Sequence, residues 1–291
     1  MQALIGDDVA NPATRTIEAH GVAIPVIGFG TGFGLPPEEP KGVAEIVASA
    51  LWCGYRHLDC ARKYGTEEAV GEGLQASGVP REEVFITTKV SHENLREADF
   101  ARSTEASLRA LRIDQADLLL IHWPNSQIPL EETIGALNRA KRQGLTRHIG
   151  VANFPSRLLE QAIGLSAEPL VTDQVEYHAH LDQSTMLETC RRHGMILTAY
   201  CPLGRGRLMQ DPVLGEIARQ KGRTVAQVAL RWLMQQDRVV PIPRSSNPQR
   251  VAENLDVFDF ELTAEETARI DALRGAGERI ADPAGRAPAW D

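Results

Sequence analysis

Short apolar runs that alternate with stretches of helical periodicity constrain this chain more than any other feature. Runs at about 57–59, 84–89, 117–122, 147–152, 171–176 and 196–200 alternate with helix-like segments near 40–52, 66–78, 98–112, 131–143, 155–164 and 184–194. Ile27 to Thr31 supplies an earlier run, and Val239-Val240-Pro241-Ile242-Pro243 a last one after helical stretches near 212–221 and 224–236. Eight strands in this alternation predict an α/β protein, a (β/α)8 TIM barrel. Thr16 to Pro25, alternating around Gly21, predicts a short hairpin closing the barrel bottom, and an extra helix and tail are expected at the C-terminus.

In a barrel of this kind the chemistry sits where the strands end, at their carboxyl termini. His57-Leu58 runs into Asp59, Phe85-Ile86-Thr87-Thr88 into Lys89, and Leu118-Leu119-Leu120-Ile121 into His122. A Lys or His closing an apolar strand must reach water or find a partner, because an unpaired buried charge is costly. Asp59, Lys89, His122 and the nearby Tyr64 can partner one another only if the three strands lie side by side and parallel. The competing readings are an Asp that only caps or turns, and a structural ion pair with an unrelated tyrosine.

Length and charge exclude several function classes. A chain of 291 residues, 43% hydrophobic and without a central linker, suits one barrel domain over 1–291. A net charge of −8 and a pI near 5.6 argue against a nucleic-acid partner or an anionic membrane surface. Met1 to Arg15 is polar, without a signal-peptide core, and no apolar run approaches a membrane span, so a cytoplasmic protein is expected, and it is taken as a monomer. Cys53, Cys60, Cys190 and Cys201 form no C-x-x-C pair and read as free thiols. His178-Ala179-His180 lacks a visible third ligand, so no metal is expected.

The glycines of Val26 to Gly32 suggest a dinucleotide fingerprint, but Leu35-Pro36-Pro37 follows where a helix would have to open, so they read as a first strand and loop permitting close approach. Near the other end, Arg244, Ser245, Ser246, Asn247 and Arg250 precede Val251-Ala252-Glu253-Asn254, a donor-rich loop and helix start suited to a phosphate. The short loop after His122, with Arg205 and Arg207 after Tyr200, predicts an open, shallow pocket lined by Phe33, Trp123, Phe154 and Trp290. Such walls suit a small polar or carboxylated ligand.

Ordered blocks along nearly the whole chain resemble the aldo-keto reductase family. They are Gly54-Tyr55-Arg56-His57-Leu58-Asp59, Tyr64-Gly65-Thr66-Glu67, Ile86-Thr87-Thr88-Lys89, Leu120-Ile121-His122-Trp123-Pro124, Ile149-Gly150-Val151-Ala152-Asn153-Phe154, Asp173-Gln174-Val175-Glu176-Tyr177-His178, Tyr200-Cys201-Pro202-Leu203-Gly204 and Ile242-Pro243-Arg244-Ser245. Within the family, the segment from Arg279 to Asp291 is most similar to bacterial 2,5-diketo-D-gluconate reductases, which also reduce methylglyoxal. The resemblance implies NADPH-dependent reduction of small carbonyls, with Asp59, Tyr64, Lys89 and His122 as catalytic tetrad.

It further implies Asn153 and Gln174 on the carboxamide and Tyr200 against the nicotinamide ring, with Gly30, Thr31, Pro202 and Leu203 also at the cofactor. The Arg244 loop, with Arg250, would take the adenosine 2′-phosphate, and Glu253 and Asn254 the adenine. Two residues depart from the family pattern: Ala152 where a Ser is common, and Arg244 where Lys is usual. Arg also stacks on adenine, which leaves NADH compatible. Chemically, Lys89 near Tyr64 would favour the phenolate and ease proton release, Asp59 would hold Lys89 charged, and His122 would orient the carbonyl. A Schiff-base aldolase using Lys89 and a nucleotide-sensing subunit without turnover are the competing functions.

Overall fold

The computed structural model describes residues 15–32, 40–277 and 279–290. Phe33 and the Leu35-Pro36-Pro37 segment lie outside the described residues. The chain begins with an antiparallel hairpin, β1 (Thr16–Ala19) and β2 (Val22–Pro25), in register Ala19 opposite Val22. His20 and Gly21 form its two-residue turn with φ of 51° and 79°, the left-handed pair whose twist matches the flanking strands.

Eight parallel strands follow in chain order: β3 (Phe29–Gly30), β4 (His57–Asp59), β5 (Phe85–Val90), β6 (Ala116–Ile121), β7 (Thr146–Ala152), β8 (Leu170–Glu176), β9 (Ile196–Tyr200) and β10 (Val239–Pro241). Each pairs with the next, and Gly28 N–H to Pro241 O and Gly30 N–H to Pro243 O, both 3.0 Å, bring the first strand against the last. The sheet is thus a barrel. The final strand stops at Pro241, short of the expected Pro243, because prolines at 241 and 243 donate no ladder hydrogen bonds.

Helices wrap the outside: α1 (Pro40–Cys53), α2 (Glu67–Ser77), α3 (Glu97–Leu111), α4 (Leu130–Arg142), α5 (Ser156–Leu165), α6 (Ser184–Arg192), α7 (Pro212–Lys221), α8 (Val225–Met234), α9 (Pro248–Leu255) and α10 (Ala264–Asp271). Among the described residues no helix is long and apolar enough to cross a membrane.

The two-residue period of a strand separates the packing layers. On β6, Leu119 and Ile121 join Ile134, Leu137 and Leu159 in the layer between sheet and helices. Leu118 and Leu120 turn the other way and pack with Ala19, Val22 and Ile24 of the hairpin. Every residue of β6 and β8 is buried, as expected of parallel strands covered on both faces. Gly150 on β7 is required by this crowding: an added Cβ would lie 2.7 Å from the Thr172 carbonyl oxygen and 2.9 Å from Leu120 Cδ2.

Candidate active site

Three neighbouring strands deliver the charged residues to one end of the barrel. In the parallel register Asp59 lies opposite Thr87 and Lys89 opposite Leu120, so β4, β5 and β6 end in a staggered row. A single turn of 3-10 helix, Arg62–Tyr64, follows β4 and ends at Gly65 in the left-handed region, φ 69°, placing Tyr64 above that row.

Lys89 is the deepest of these groups, with its side chain 0% exposed. Its Nζ donates to Asp59 Oδ1 at 2.5 Å and to the Cys60 carbonyl at 2.9 Å. The other carboxylate oxygen, Asp59 Oδ2, accepts from Gln174 Nε2 at 2.7 Å, and Thr31 Oγ1 donates to the Asp59 carbonyl at 3.1 Å. A buried ion pair stands only when its remaining donors and acceptors are also satisfied. Here they are, from three strands. Burial pulls the Lys89 ammonium down, but Asp59 and then Tyr64 outweigh it and hold the group above the usual lysine value.

Tyr64 sits directly over this pair, with Lys89 Nζ 5.2 Å from its ring centroid. Its hydroxyl lies 3.5 Å from His122 Nε2, and the two rings meet edge to face at 5.4 Å. Burial pushes the phenol up to about 12, and Lys89 opposes the rise. The direction of the lysine's effect is the expected one, but desolvation is larger, so the group is a firmly protonated phenol. Burial, then Lys89, press His122 well below the ordinary histidine value, so its ring is neutral near pH 7.

A second chain of hydrogen bonds holds the opposite wall. Tyr200 Oη donates to Asn153 Oδ1 at 2.7 Å, and Asn153 Nδ2 donates to the His122 carbonyl at 2.9 Å. Asn153 has φ of 62°, a conformation Asn tolerates better than most residues.

These groups face a cavity of about 830 Å³. Among the residues expected at a cofactor, Gly30, Asn153, Gln174, Tyr200, Pro202, Leu203 and Arg244 line it, and so does Trp123 of the expected substrate wall. Thr31 is buried beneath the wall. Ser246, Asn247 and Arg250 are exposed on the adjoining loop and first turn of α9, where Asn247 Oδ1 caps the backbone of Gln249 and Arg250. Ser245 Oγ braces the same loop by accepting from the Asn247 N–H at 3.0 Å. Glu253 accepts the Thr224 hydroxyl at 2.9 Å, and Asn254 is 4% exposed.

Two expectations are corrected. Phe154 does not face the cavity: it is 0% exposed in the layer between sheet and helices, because the left-handed Asn153 turns the chain outward there. The pocket is not shallow either, since Ile280, Ala281, Asp282, Pro283 and Arg286 of the C-terminal tail form one of its walls. Trp290 packs edge-on to Trp123 at 6.1 Å, with the Arg279 guanidinium 3.6 Å over its ring.

Glu176 is what holds the tail, and the strand-end rule that drew attention to Asp59, Lys89 and His122 applies to it as well. It is the last residue of β8 and fully buried. Its carboxylate accepts from the backbone of Ile280 at 2.8 Å and Ala281 at 2.6 Å, and from His178 Nε2 at 3.0 Å. Burial pushes this carboxyl up, but the His178 ring and the two tail amides outweigh it and hold it below the usual range. His180, in turn, bonds Asp211 at 2.7 Å, and among the described residues no cluster of His, Cys, Asp or Glu is placed to hold a metal. The free Cys60 thiol is fully buried and donates to the Thr87 carbonyl at 3.1 Å.

A barrel whose strand ends open on one cavity, where a phenol and an imidazole stand over a buried lysine–aspartate pair, is the arrangement of a barrel enzyme with its chemistry at the carboxyl ends of the strands. Residues 26–274 match the aldo/keto reductase family, and the chain belongs to it, as an NAD(P)H-dependent enzyme. It is 40% identical to a methylglyoxal reductase DkgB of Escherichia coli over 93% of this chain and 100% of that one. Among solved structures, a provisionally assigned 2,5-diketo-D-gluconic acid reductase B is 46% identical, covers 96% of this chain and 98% of its own, and superposes with a TM-score of 0.92. A Bombyx mori aldo-keto reductase in complex with NADP is 34% identical over 92% of this chain and 95% of its own, with a TM-score of 0.84.

Replacing Glu176 with Gln should loosen the tail. Charge-assisted hydrogen bonds contribute roughly 1.5 to 3 kcal/mol, so amide exchange at Ile280 and Ala281 should accelerate about tenfold or more. Since the folded pKa lies below the unfolded one, wild-type protection is full above pH about 4.3 and fades as pH falls through the depressed value. Hydrogen exchange followed by mass spectrometry checks both, and unchanged protection in Glu176→Gln would contradict the clamp.

Proposed function

We propose that the enzyme reduces small aldehydes, ketones and dicarbonyls, of the methylglyoxal and 2,5-diketo-D-gluconate type, to alcohols with NADPH, and that Tyr64 is the proton donor. The observation that carries this reading is the Tyr64 hydroxyl beside neutral His122 at the end of the cavity, over a buried Lys89–Asp59 pair.

The cavity suits the cofactor. A Cβ on Gly32 would lie 2.8 Å from the Tyr64 ring, and one on Gly30 3.1 Å from the Ile242 carbonyl, so glycine lets the backbone at this wall pack directly against both. Gln174 has committed its Nε2 to Asp59 and retains Oε1 to accept from a carboxamide. Asn153 serves beside it, Tyr200 offers its ring, and Arg244, Ser245 and Arg250 take the 2′-phosphate, with Glu253 and Asn254 nearest the adenine. Bound NADPH supplies a hydride for the carbonyl carbon.

The protein's part is then proton supply and orientation. His122 Nε2–H donates to the carbonyl oxygen and fixes its direction; Tyr64 Oη gives its proton to that oxygen as negative charge develops. An alkoxide is a stronger base than a phenolate, so transfer is favourable even from a phenol near 12. The Lys89 ammonium stabilises the phenolate left behind until solvent reprotonates it, and Asp59 keeps that ammonium charged. A Schiff-base role for Lys89 fits poorly, because such an amine must be neutral and exposed, whereas this one is buried and held protonated.

The same reading takes residues 1–291 as one barrel domain working as a cytoplasmic monomer. In this reading the hairpin plugs the amino end of the barrel, α10 packs beside α7 and α8, and the tail walls the cavity at the carboxyl end of the strands. A net charge of −8 supports the absence of nucleic-acid or anionic-membrane partners.

Tyr64→Phe should lower kcat by about two to four orders of magnitude, while NADPH binding read by fluorescence quenching stays near wild type. Near-normal turnover would remove Tyr64 from the donor role. For the cofactor, Arg244→Ala and Arg250→Ala should each weaken NADPH about ten- to a hundredfold and NADH much less. An unchanged ratio of the two dissociation constants in both variants would show that neither arginine reads the phosphate.

A further inference from the structure

One buried acid near the reacting end takes no part in the reduction chemistry. Glu67 opens α2 just after Tyr64 and is 2% exposed. Its Oε1 accepts from Thr88 Oγ1 at 2.5 Å, and Arg62 Nη1 lies 3.7 Å from its Oε2. Burial pushes the carboxyl up, while Thr88, then Ser107 of α3 and Arg62, oppose the rise. A carboxyl withdrawn from water loses its hydration, and the short bond from the Thr88 hydroxyl replaces part of it.

These partners bracket the proton donor. Thr88 precedes Lys89 on β5, and the two-residue period of the strand turns Thr88 outward to α2 where Lys89 turns into the barrel. Arg62 begins the 3-10 turn that ends in Tyr64. Asp59 and Glu67 are thus the two ends of the loop that carries the phenol. The first end is tied by the Cys60 N–H to the Thr87 carbonyl and by the Thr31 N–H to the Asp59 carbonyl, both 2.9 Å; the second is tied by Glu67 to Thr88. Between them Gly65, at φ 69°, is a pivot. The outer side of the turn carries Lys63, whose pair with Glu93 at 3.1 Å is exposed and contributes little. The Tyr64 hydroxyl stands 3.5 Å from His122 Nε2, the outer limit of a hydrogen bond, so a small swing of the turn separates them.

We propose that Glu67 is a positioning residue for the proton donor: bonded to Thr88 and paired with Arg62, it fixes the Tyr64 turn to the outer face of β5 and so sets where the phenol stands above Lys89 and beside His122. This deepens the reading of Tyr64 as donor and rests on it. Glu67 does not line the cavity, so it acts on the reaction through the turn alone. A misplacement of about 1 Å at a reacting group costs up to about a hundredfold in rate, so loss of the tie should slow proton donation about ten- to a hundredfold. The residues that face the cofactor are left as they were.

The test is the single-turnover rate of NADPH oxidation with saturating methylglyoxal, followed by absorbance in light and in heavy water. It is measured for wild type, Glu67→Ala, Glu67→Gln, Tyr64→Phe and the double variant Tyr64→Phe with Glu67→Ala, with thermal melting as a check on folding. Glu67→Ala should slow the step about ten- to a hundredfold with the NADPH dissociation constant near wild type, and should raise the solvent isotope effect, because a displaced donor makes proton transfer limiting. Glu67→Gln keeps an acceptor for Thr88 and should recover part of the rate. In the Tyr64→Phe background the Glu67→Ala change should cost less than about twofold, since no donor is left to position. An equal loss in both backgrounds, an unchanged isotope effect, or a wild-type rate in Glu67→Ala overturns the proposal and leaves the donor reading intact. Should Glu67→Ala not fold, Thr88→Val removes the same bond from the other side, and the same outcomes decide. Near-normal turnover in Tyr64→Phe instead overturns the donor reading, and this proposal falls with it.

Discussion

The buried Lys89–Asp59 pair is the interaction on which the rest of this site depends. Removing one partner from such a pair costs about 3 to 5 kcal/mol, because it strands a charge in a low-dielectric interior. The barrel spends unusual local order on avoiding that. The Cys60 carbonyl, Gln174 from the far side of the sheet and the ends of β4 and β5 all converge on these two side chains. Parallel strands in this register are what bring them together, so fold and site are one constraint seen at two scales. The pair in turn sets the environment of Tyr64, where burial and the lysine act in opposite directions and burial prevails.

A second carboxylate does for the tail what Asp59 does for Lys89. Glu176 ends β8 as Asp59 ends β4, and each carboxylate is satisfied by donors from distant parts of the chain. One organises the reacting end of the cavity; the other fastens the wall that covers it. The cavity's depth therefore comes from a segment outside the barrel, and the charges on that segment face whatever enters.

Much of this was legible in the sequence. Short apolar runs alternating with stretches of helical period gave the strands and helices, with most boundaries within two residues of those found, as in α2, α3 and α5. The residues ending β4, β5 and β6 stood out because a charge after an apolar run demands a partner. What was not legible follows from physics that local pattern does not carry. Phe154 was placed at the pocket by its neighbourhood in sequence, yet the left-handed Asn153 beside it redirects the chain, and an Asn gives no warning of which φ it will adopt. The role of the tail depended on a contact between residues 176 and 280, a pairing that no periodicity encodes. The Glu176 signal was present, a buried acid at a strand end, but its partner was backbone and so had no residue-type signature. The sign of the Tyr64 shift likewise depended on how deeply the ring sits, which only the packed structure shows.

The central claim is that Asp59 keeps Lys89 protonated under the proposed donor. The most direct measurement is the pH dependence of kcat at saturating NADPH for wild type and Asp59→Asn, a change that preserves shape and removes the charge. Without the carboxylate, burial is left to dominate at Lys89, and the ammonium should lose its proton at a lower pH. The account predicts that the high-pH limb of the profile moves at least about one unit toward acid in Asp59→Asn. High-pH limbs that superimpose in the two proteins would contradict it.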